Sequence, residues 1–132
     1  MPATNPKIRI LYPTRQTLKT RADTPFSDTD LTAAVVRGPH FVAVLDGEMD
    51  ASFLQVDDEG TCERLFRALN APLDMLNPTD LALLERVCHA VRVGHASHTS
   101  MSMGDAVEID GRLWVCAAFG FRRLPEDTQP PA

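Results

Sequence analysis

Two strands joined by a tight turn are predicted between His98 and Phe121. Apolar and acidic residues alternate over Val107–Asp110, the period of two that gives a strand one buried face and one solvated face, with Glu108 on the solvated side. Asp110-Gly111 predicts a two-residue type I′ turn, because glycine tolerates the positive φ that this turn requires. Leu113–Phe119 is mostly apolar, so we expect a central return strand that is covered on both faces.

Two amphipathic helices are predicted upstream of this hairpin. Thr61–Asn70 carries one apolar stripe with the i, i+3, i+4, i+7 spacing of a helix. The second helix is expected over Pro78–Val93, with Asn77 as its N-cap and proline in its first turn. Its inner face is predicted to consist of apolar residues at helical spacing, Leu81, Leu84, Cys88 and Val91, and to be widened by Leu83 and Val87.

Further strands are predicted in the N-terminal half of the chain. Lys7–Tyr12 and Phe41–Leu45 have the composition of strands, and Phe53–Val56 is interpreted as a short edge strand. Asp28–Arg37 fits both a helix that begins at Asp28 and a strand, and we favour the helix.

The predicted fold class is α+β, a small and mostly antiparallel sheet with two or three amphipathic helices packed on one face. A strand-rich sheet is stable only if its apolar face is covered, and these helices provide the cover. A half-open barrel is the alternative. We expect a flexible leader at residues 1–6, a single domain at 7–124 and a disordered tail at 125–132.

Composition narrows the function classes. The 132 residues carry a formal net charge of -5, which disfavours a protein that coats DNA or RNA. Three cysteines in apolar surroundings are typical of buried free thiols in a reducing compartment, so we expect a cytoplasmic protein. We expect no membrane association, because no apolar run approaches the ~20 residues of a membrane span.

Catalytic and metal sites are not predicted. His89, His95 and His98 with Cys88 are the only cluster of metal-type ligands, but adjacent residues of a helix point about 100° apart and do not chelate together easily. Cys116 lies in an apolar strand, where a thiol is inert. We expect Asp105 to bond the backbone of its own turn, and we expect no cofactor.

Two groups of charged residues are candidate binding surfaces. An acidic group suits a basic protein partner and consists of Asp46, Glu48, Asp50, Asp57, Asp58 and Glu59. The alternative is a nucleic-acid surface on the hairpin, formed by Arg112, Arg122 and Arg123. An exposed sheet edge would also permit a homodimer.

The C-terminal third resembles the closing motif of small YodL-like domains. The resemblance rests on HTSMSMGDAV and WVCAAFGF. Its motif residues are His98, Ser100, Ser102, Gly104, Asp105, Gly111, Trp114, Phe119, Gly120 and Phe121. Upstream, the strand at Phe41–Gly47 and the helix with Leu65-Phe66 and Asn70 follow the order of the same family. The chain departs from the pattern at Thr99 and Ala106 and in the long Ala71–Ala96 insertion.

Such domains look like accessory products of phages, plasmids and conjugative elements. The resemblance therefore implies a genomic context and carries over no catalytic residue. We expect a non-enzymatic protein-binding accessory protein of a mobile genetic element. One concrete version inhibits a host defence system, as an anti-CRISPR or antirestriction protein does. The alternative is a nucleic-acid-binding regulatory module.

Overall fold

The five strands form one antiparallel sheet. The computed structural model describes residues 6–14, 32–49, 51–93, 101, 103–117 and 120–125. Its strands are β1 (Lys7–Pro13), β2 (Phe41–Glu48), β3 (Ala106–Ile109), β4 (Arg112–Cys116) and β5 (Phe121–Leu124). Their order is β2-β1-β3-β4-β5, so β2 and β5 are the edge strands. Among the described strands none joins β5 to β2, so these strands form an open sheet and not a closed barrel.

Three α-helices within the described residues accompany the sheet, and the predicted α+β class is confirmed. They are α1 (Ala33–Val36), α2 (Asp58–Asn70) and α3 (Pro78–Val93). Helix α2 begins three residues earlier than predicted because Asp57 caps it, accepting a hydrogen bond from the Gly60 N–H at 2.8 Å. Helix α3 has its predicted bounds, and Asn77 accepts from the Asp80 N–H at 2.8 Å.

The other local predictions have mixed outcomes. The helix interpretation of Asp28–Arg37 is confirmed for α1, which Thr32 caps, and residues 28–31 lie outside the described ranges. The predicted strand at Phe53–Val56 is wrong, because Phe53 ends a 3₁₀ helix and is buried in the core. The Gln55 N–H donates to the hydroxyl of Thr61, a residue of α2, at 2.9 Å. The partner of this backbone group is therefore a side chain and not a neighbouring strand.

Apolar residues cover both faces of the sheet. Alternation along β1 places Ile8, Ile10 and Tyr12 in the large core beneath α2 and α3. Leu11 points the other way, into a second cluster that includes Val36 of α1. The remaining sheet residues of that second cluster are Phe41, Ala106, Leu113, Val115 and Leu124. The two long helices therefore share one face, and α1 packs on the opposite face.

The predicted inner face of α3 is confirmed in part. Leu83, Val87 and Val91 are buried, whereas Cys88 is only half-buried. Asp80 lies on the same stripe and is buried in an ion pair with Arg64 of α2. This charge pair connects α3 to α2.

The hairpin between β3 and β4 is confirmed. Asp110 and Gly111 have φ values of 47° and 88°, as a type I′ turn requires. The central strand is β3, however, and its four residues are all buried. The expectation that Glu108 faces solvent is wrong, because guanidinium groups of Arg9 and Arg37 lie 3.2 and 2.8 Å from its carboxylate. Strand β4 lies between β3 and β5 and ends at Cys116.

Within the described ranges no helix is both long and apolar enough to span a membrane.

Candidate functional site

A groove of about 730 Å³ lies between α2 and the end of the β-hairpin that is opposite its Asp110-Gly111 turn, where β4 ends and β5 begins. Its lining is mainly apolar, and two of its residues are large and exposed: Phe66 at 36% and Met103 at 53%. The other lining residues are Glu63, Arg67, Asn70, Ala71, Cys116, Ala117, Gly120 and Phe121. Its volume is in the range of protein ligand pockets, and its openness to the surface suits a side chain of a macromolecular partner.

The hairpin backbone builds one wall of this groove. Cys116 accepts a hydrogen bond from the Gly104 N–H and donates its own N–H to the Asp105 carbonyl, both at 2.8 Å. Ala117 donates to the Gly120 carbonyl at 2.8 Å, and Gly120 has a φ of 78° that favours glycine. This turn brings β5 back beside β4 and places Phe121 opposite Cys116.

Helix α2 builds the other wall. The Phe66 ring meets the Phe121 ring edge-on, with centroids 6.3 Å apart and planes at 86°. At the end of the helix, the Asn70 side chain donates to the Met101 carbonyl at 2.7 Å and accepts from its N–H at 2.8 Å. The groove is therefore held from both sides by the start of β5 and by the segment before the hairpin.

A polar cluster connects the N-terminus of α2 to the sheet. The Arg112 guanidinium makes two hydrogen bonds to Asp58, at 2.6 and 3.0 Å, and the Trp114 indole N–H adds a third at 3.2 Å. The Arg112 bond holds the pKa of Asp58 below its usual range, and the same bond raises the pKa of Arg112. The Arg123 guanidinium lies 6.0 Å from the centre of the Trp114 ring.

The three arginines of the predicted nucleic-acid surface do not form one patch. Arg112 is paired with Asp58. Arg122 and Arg123 are neighbours in β5, so their side chains point to opposite faces of the sheet. Only Arg123 is exposed.

The acidic group is also divided in the structure. Asp57 caps α2 and Asp58 binds Arg112. Asp46 lies 3.6 Å from Arg9 at the other edge of the sheet, where Glu48 is opposite Lys7 in the register. Glu59 lies beside the start of β5, since a Cβ atom added at Gly120 would be 3.5 Å from its carboxylate. These residues therefore do not present one acidic face.

Several predicted residues fall outside the described ranges: Asp50, His95, His98, Ser100, Ser102 and Phe119. The same holds for residues 1–5 of the predicted leader and for 126–132 of the predicted tail.

The buried thiol and phenol groups of Cys62, Cys116 and Tyr12 belong to the large hydrophobic core. Cys62 and Cys116 are buried, and burial raises the pKa of the Cys62 thiol far above its ordinary value. Burial, with a contribution from Asp105, raises the pKa of Tyr12 in the same direction. Among the described residues, no group of three or more His, Cys, Asp or Glu side chains is placed to hold a metal ion.

Sequence reasoning did not find the groove. Phe66 belongs to the apolar stripe predicted for Thr61–Asn70, but in the structure it is exposed on the rim of the groove. Comparisons with known proteins found no matching family model, no matching curated protein and no matching solved structure.

Proposed function

We propose that this chain is a non-enzymatic protein-binding module and that its partner docks on the groove between α2 and β5. The observation that carries this proposal is the pair of exposed apolar residues, Phe66 and Met103, on the rim of a mainly apolar groove. Covering such residues with a partner removes apolar surface from water at about 25 cal/mol per Å². Methionine also adapts its shape to different partners.

The biological setting is proposed from the resemblance to YodL-like domains. It favours an accessory protein of a phage or plasmid that acts in the cytoplasm. In the concrete version, the chain binds through this groove to a working surface of a host defence nuclease and inhibits it. Two residues of the motif that carries this resemblance, Gly120 and Phe121, line the groove.

We favour a protein over a nucleic acid as the partner. A nucleic-acid surface needs several cations on one face, because affinity comes largely from phosphate contacts. In this chain Arg112 is neutralised by Asp58, and Arg122 and Arg123 point to opposite faces. The net charge of -5 disfavours the same function.

A matched pair of variants tests the docking surface. Met103→Ser removes an exposed methionine from the groove, and Met75→Ser removes one that is 74% exposed and lies outside it. Tagged versions of both variants and of the wild type are used to capture proteins from cells that carry the gene. A partner of the groove is captured by the wild type and by Met75→Ser, and it is depleted with Met103→Ser. A protein set that is identical for all three baits would contradict the proposed surface.

The defence version has its own assay. The chain is expressed in a host with an active CRISPR or restriction nuclease, and the transformation efficiency of a targeted plasmid is measured. An inhibitor raises this efficiency, and Met103→Ser lowers the gain while Met75→Ser preserves it. Equal efficiency with and without the chain for each nuclease tested would refute the defence role for those nucleases.

A further inference from the structure

The edge strand β5 adjoins the groove, and its backbone is oriented for a further strand. Cys116 bonds its N–H and C=O to the β3 side of the sheet, so it does not bond to Phe121, which lies opposite it on β5. Hydrogen-bonded and non-bonded pairs alternate in an antiparallel ladder. The N–H and C=O groups of Phe121 and Arg123 therefore point away from β4. Among the described strands, none pairs with this side of β5.

The side chains along this edge form an ordered pattern. Phe121 and Arg123 share the face that carries the groove, two residues and about 6.6 Å apart. The Phe121 ring lines the groove and is itself buried, 8% exposed, against the Phe66 ring, whereas Arg123 is an exposed residue with its guanidinium above the Trp114 ring. Glu59 and Glu63 lie beside Gly120, at the other end of the strand. In chain order, this edge therefore has acidic side chains beside Gly120, then the apolar Phe121 and then the positive Arg123.

We propose that β5 binds an extended segment of a partner protein as an added sixth strand. The segment places an apolar residue opposite Phe121, in the groove, and an acidic residue opposite Arg123. These two ligand residues are separated by one residue, because same-face positions of a strand recur every second residue. This inference rests on the proposed protein-binding function and specifies the partner's chemistry.

A second copy of this chain fits the edge less well. An antiparallel self-pairing centred on Arg122 would set the Arg122 residues of the two copies opposite each other and Arg123 opposite Phe121, and like charges directly opposite are destabilising. It would also leave no apolar residue opposite Phe121. A partner segment that carries an apolar and an acidic residue satisfies both positions.

Short peptides test the proposal on the full chain. Ten-residue threonine-rich peptides carry Glu-Thr-Leu, which matches an antiparallel addition, or Leu-Thr-Glu, which matches a parallel one. The control peptides carry lysine in place of glutamate. Each is titrated to millimolar concentration into the ¹⁵N-labelled chain, and chemical shifts and amide exchange are followed by NMR.

The expected result has two parts. A glutamate peptide binds and slows the exchange of the Phe121 and Arg123 amides, with little change at Arg122 and Leu124. Arg123→Glu then weakens this peptide and favours the lysine peptide, each by about five- to tenfold, as a charge reversal at a paired position predicts. Arg86→Glu, an exposed position on α3, leaves both affinities unchanged.

Three results would overturn the inference. The first is the absence of binding by every peptide, and the second is binding that protects neither Phe121 nor Arg123. The third is a wild-type dimer that Arg123→Glu dissociates, which would identify a second copy as the occupant. Capture of a partner through Met103 together with failure of the peptides would reject strand addition and retain the protein-binding function.

Discussion

Replacing the buried glutamate of the central strand tests how the charge network stabilises the fold. Glu108 receives hydrogen bonds from Arg9 at 3.2 Å and from Arg37 at 3.1 and 2.8 Å. Its side chain is 12% exposed, whereas the two arginines are 34% and 33% exposed. Glu108→Gln removes the charge with little change of shape and leaves two cations facing a neutral amide.

The expected cost follows from these exposures. Removing one partner of a fully buried ion pair costs about 3–5 kcal/mol. Both arginines keep contact with water and Gln retains one acceptor oxygen, so we expect a loss of about 2 kcal/mol in the free energy of unfolding. For a chain of this length that loss lowers Tm by about 6–10 °C.

Urea unfolding followed by circular dichroism measures this loss. Glu85→Gln, at an exposed position on α3, is the control and should stay within about 0.5 kcal/mol of the wild type. Combining Glu108→Gln with Arg37→Met should show a coupling energy of about 1 kcal/mol or more. A Glu108→Gln variant as stable as the Glu85→Gln control would refute the role assigned to this network.

Three further predictions concern other contacts. Asp58→Asn should lower the free energy of unfolding by about 1 kcal/mol at neutral pH, and the difference from the wild type should vanish in acid. Because the pKa of Asp58 is lowered in the folded state, its contribution is present above the unfolded pKa of about 4 and is lost as the pH falls through the folded pKa. Unfolding curves measured over a range of pH would show this loss. Gly111→Ala should cost about 1–2 kcal/mol through its positive φ alone, since nothing lies within 4 Å of the added Cβ, and equal urea midpoints would contradict this. Leu65→Ala should cost about 2–5 kcal/mol in the same assay because Leu65 is fully buried in the large core, and a loss below 1 kcal/mol would show a looser core.

The elements specified by local chemistry were predictable from the sequence. Asp110-Gly111 specifies its own turn, because both positions need a positive φ. Asn77 and Pro78 specify the start of α3 in the same way, through a cap and a residue that suits the first turn. These signals act over a few residues and do not depend on the rest of the fold.

The features that depend on distant residues were not predictable. Glu108 is buried because Arg9 and Arg37 approach it from 99 and 71 positions away in the chain. Alternation in the sequence cannot show such pairing. Asp80 is likewise buried with a charged partner, Arg64, that lies 16 positions away in the chain. The groove likewise exists only once α2 and β5 are side by side.

Site-specific photo-cross-linking shows directly whether a partner protein occupies the groove. A photoreactive amino acid replaces Met103 in the full chain, and a second version carries it at Met75, outside the groove. Both are expressed in cells that carry the gene, irradiated and analysed by mass spectrometry. We expect a discrete cross-linked protein for position 103 and none for position 75. Equal cross-linking from both positions, or none from either, would contradict this expectation.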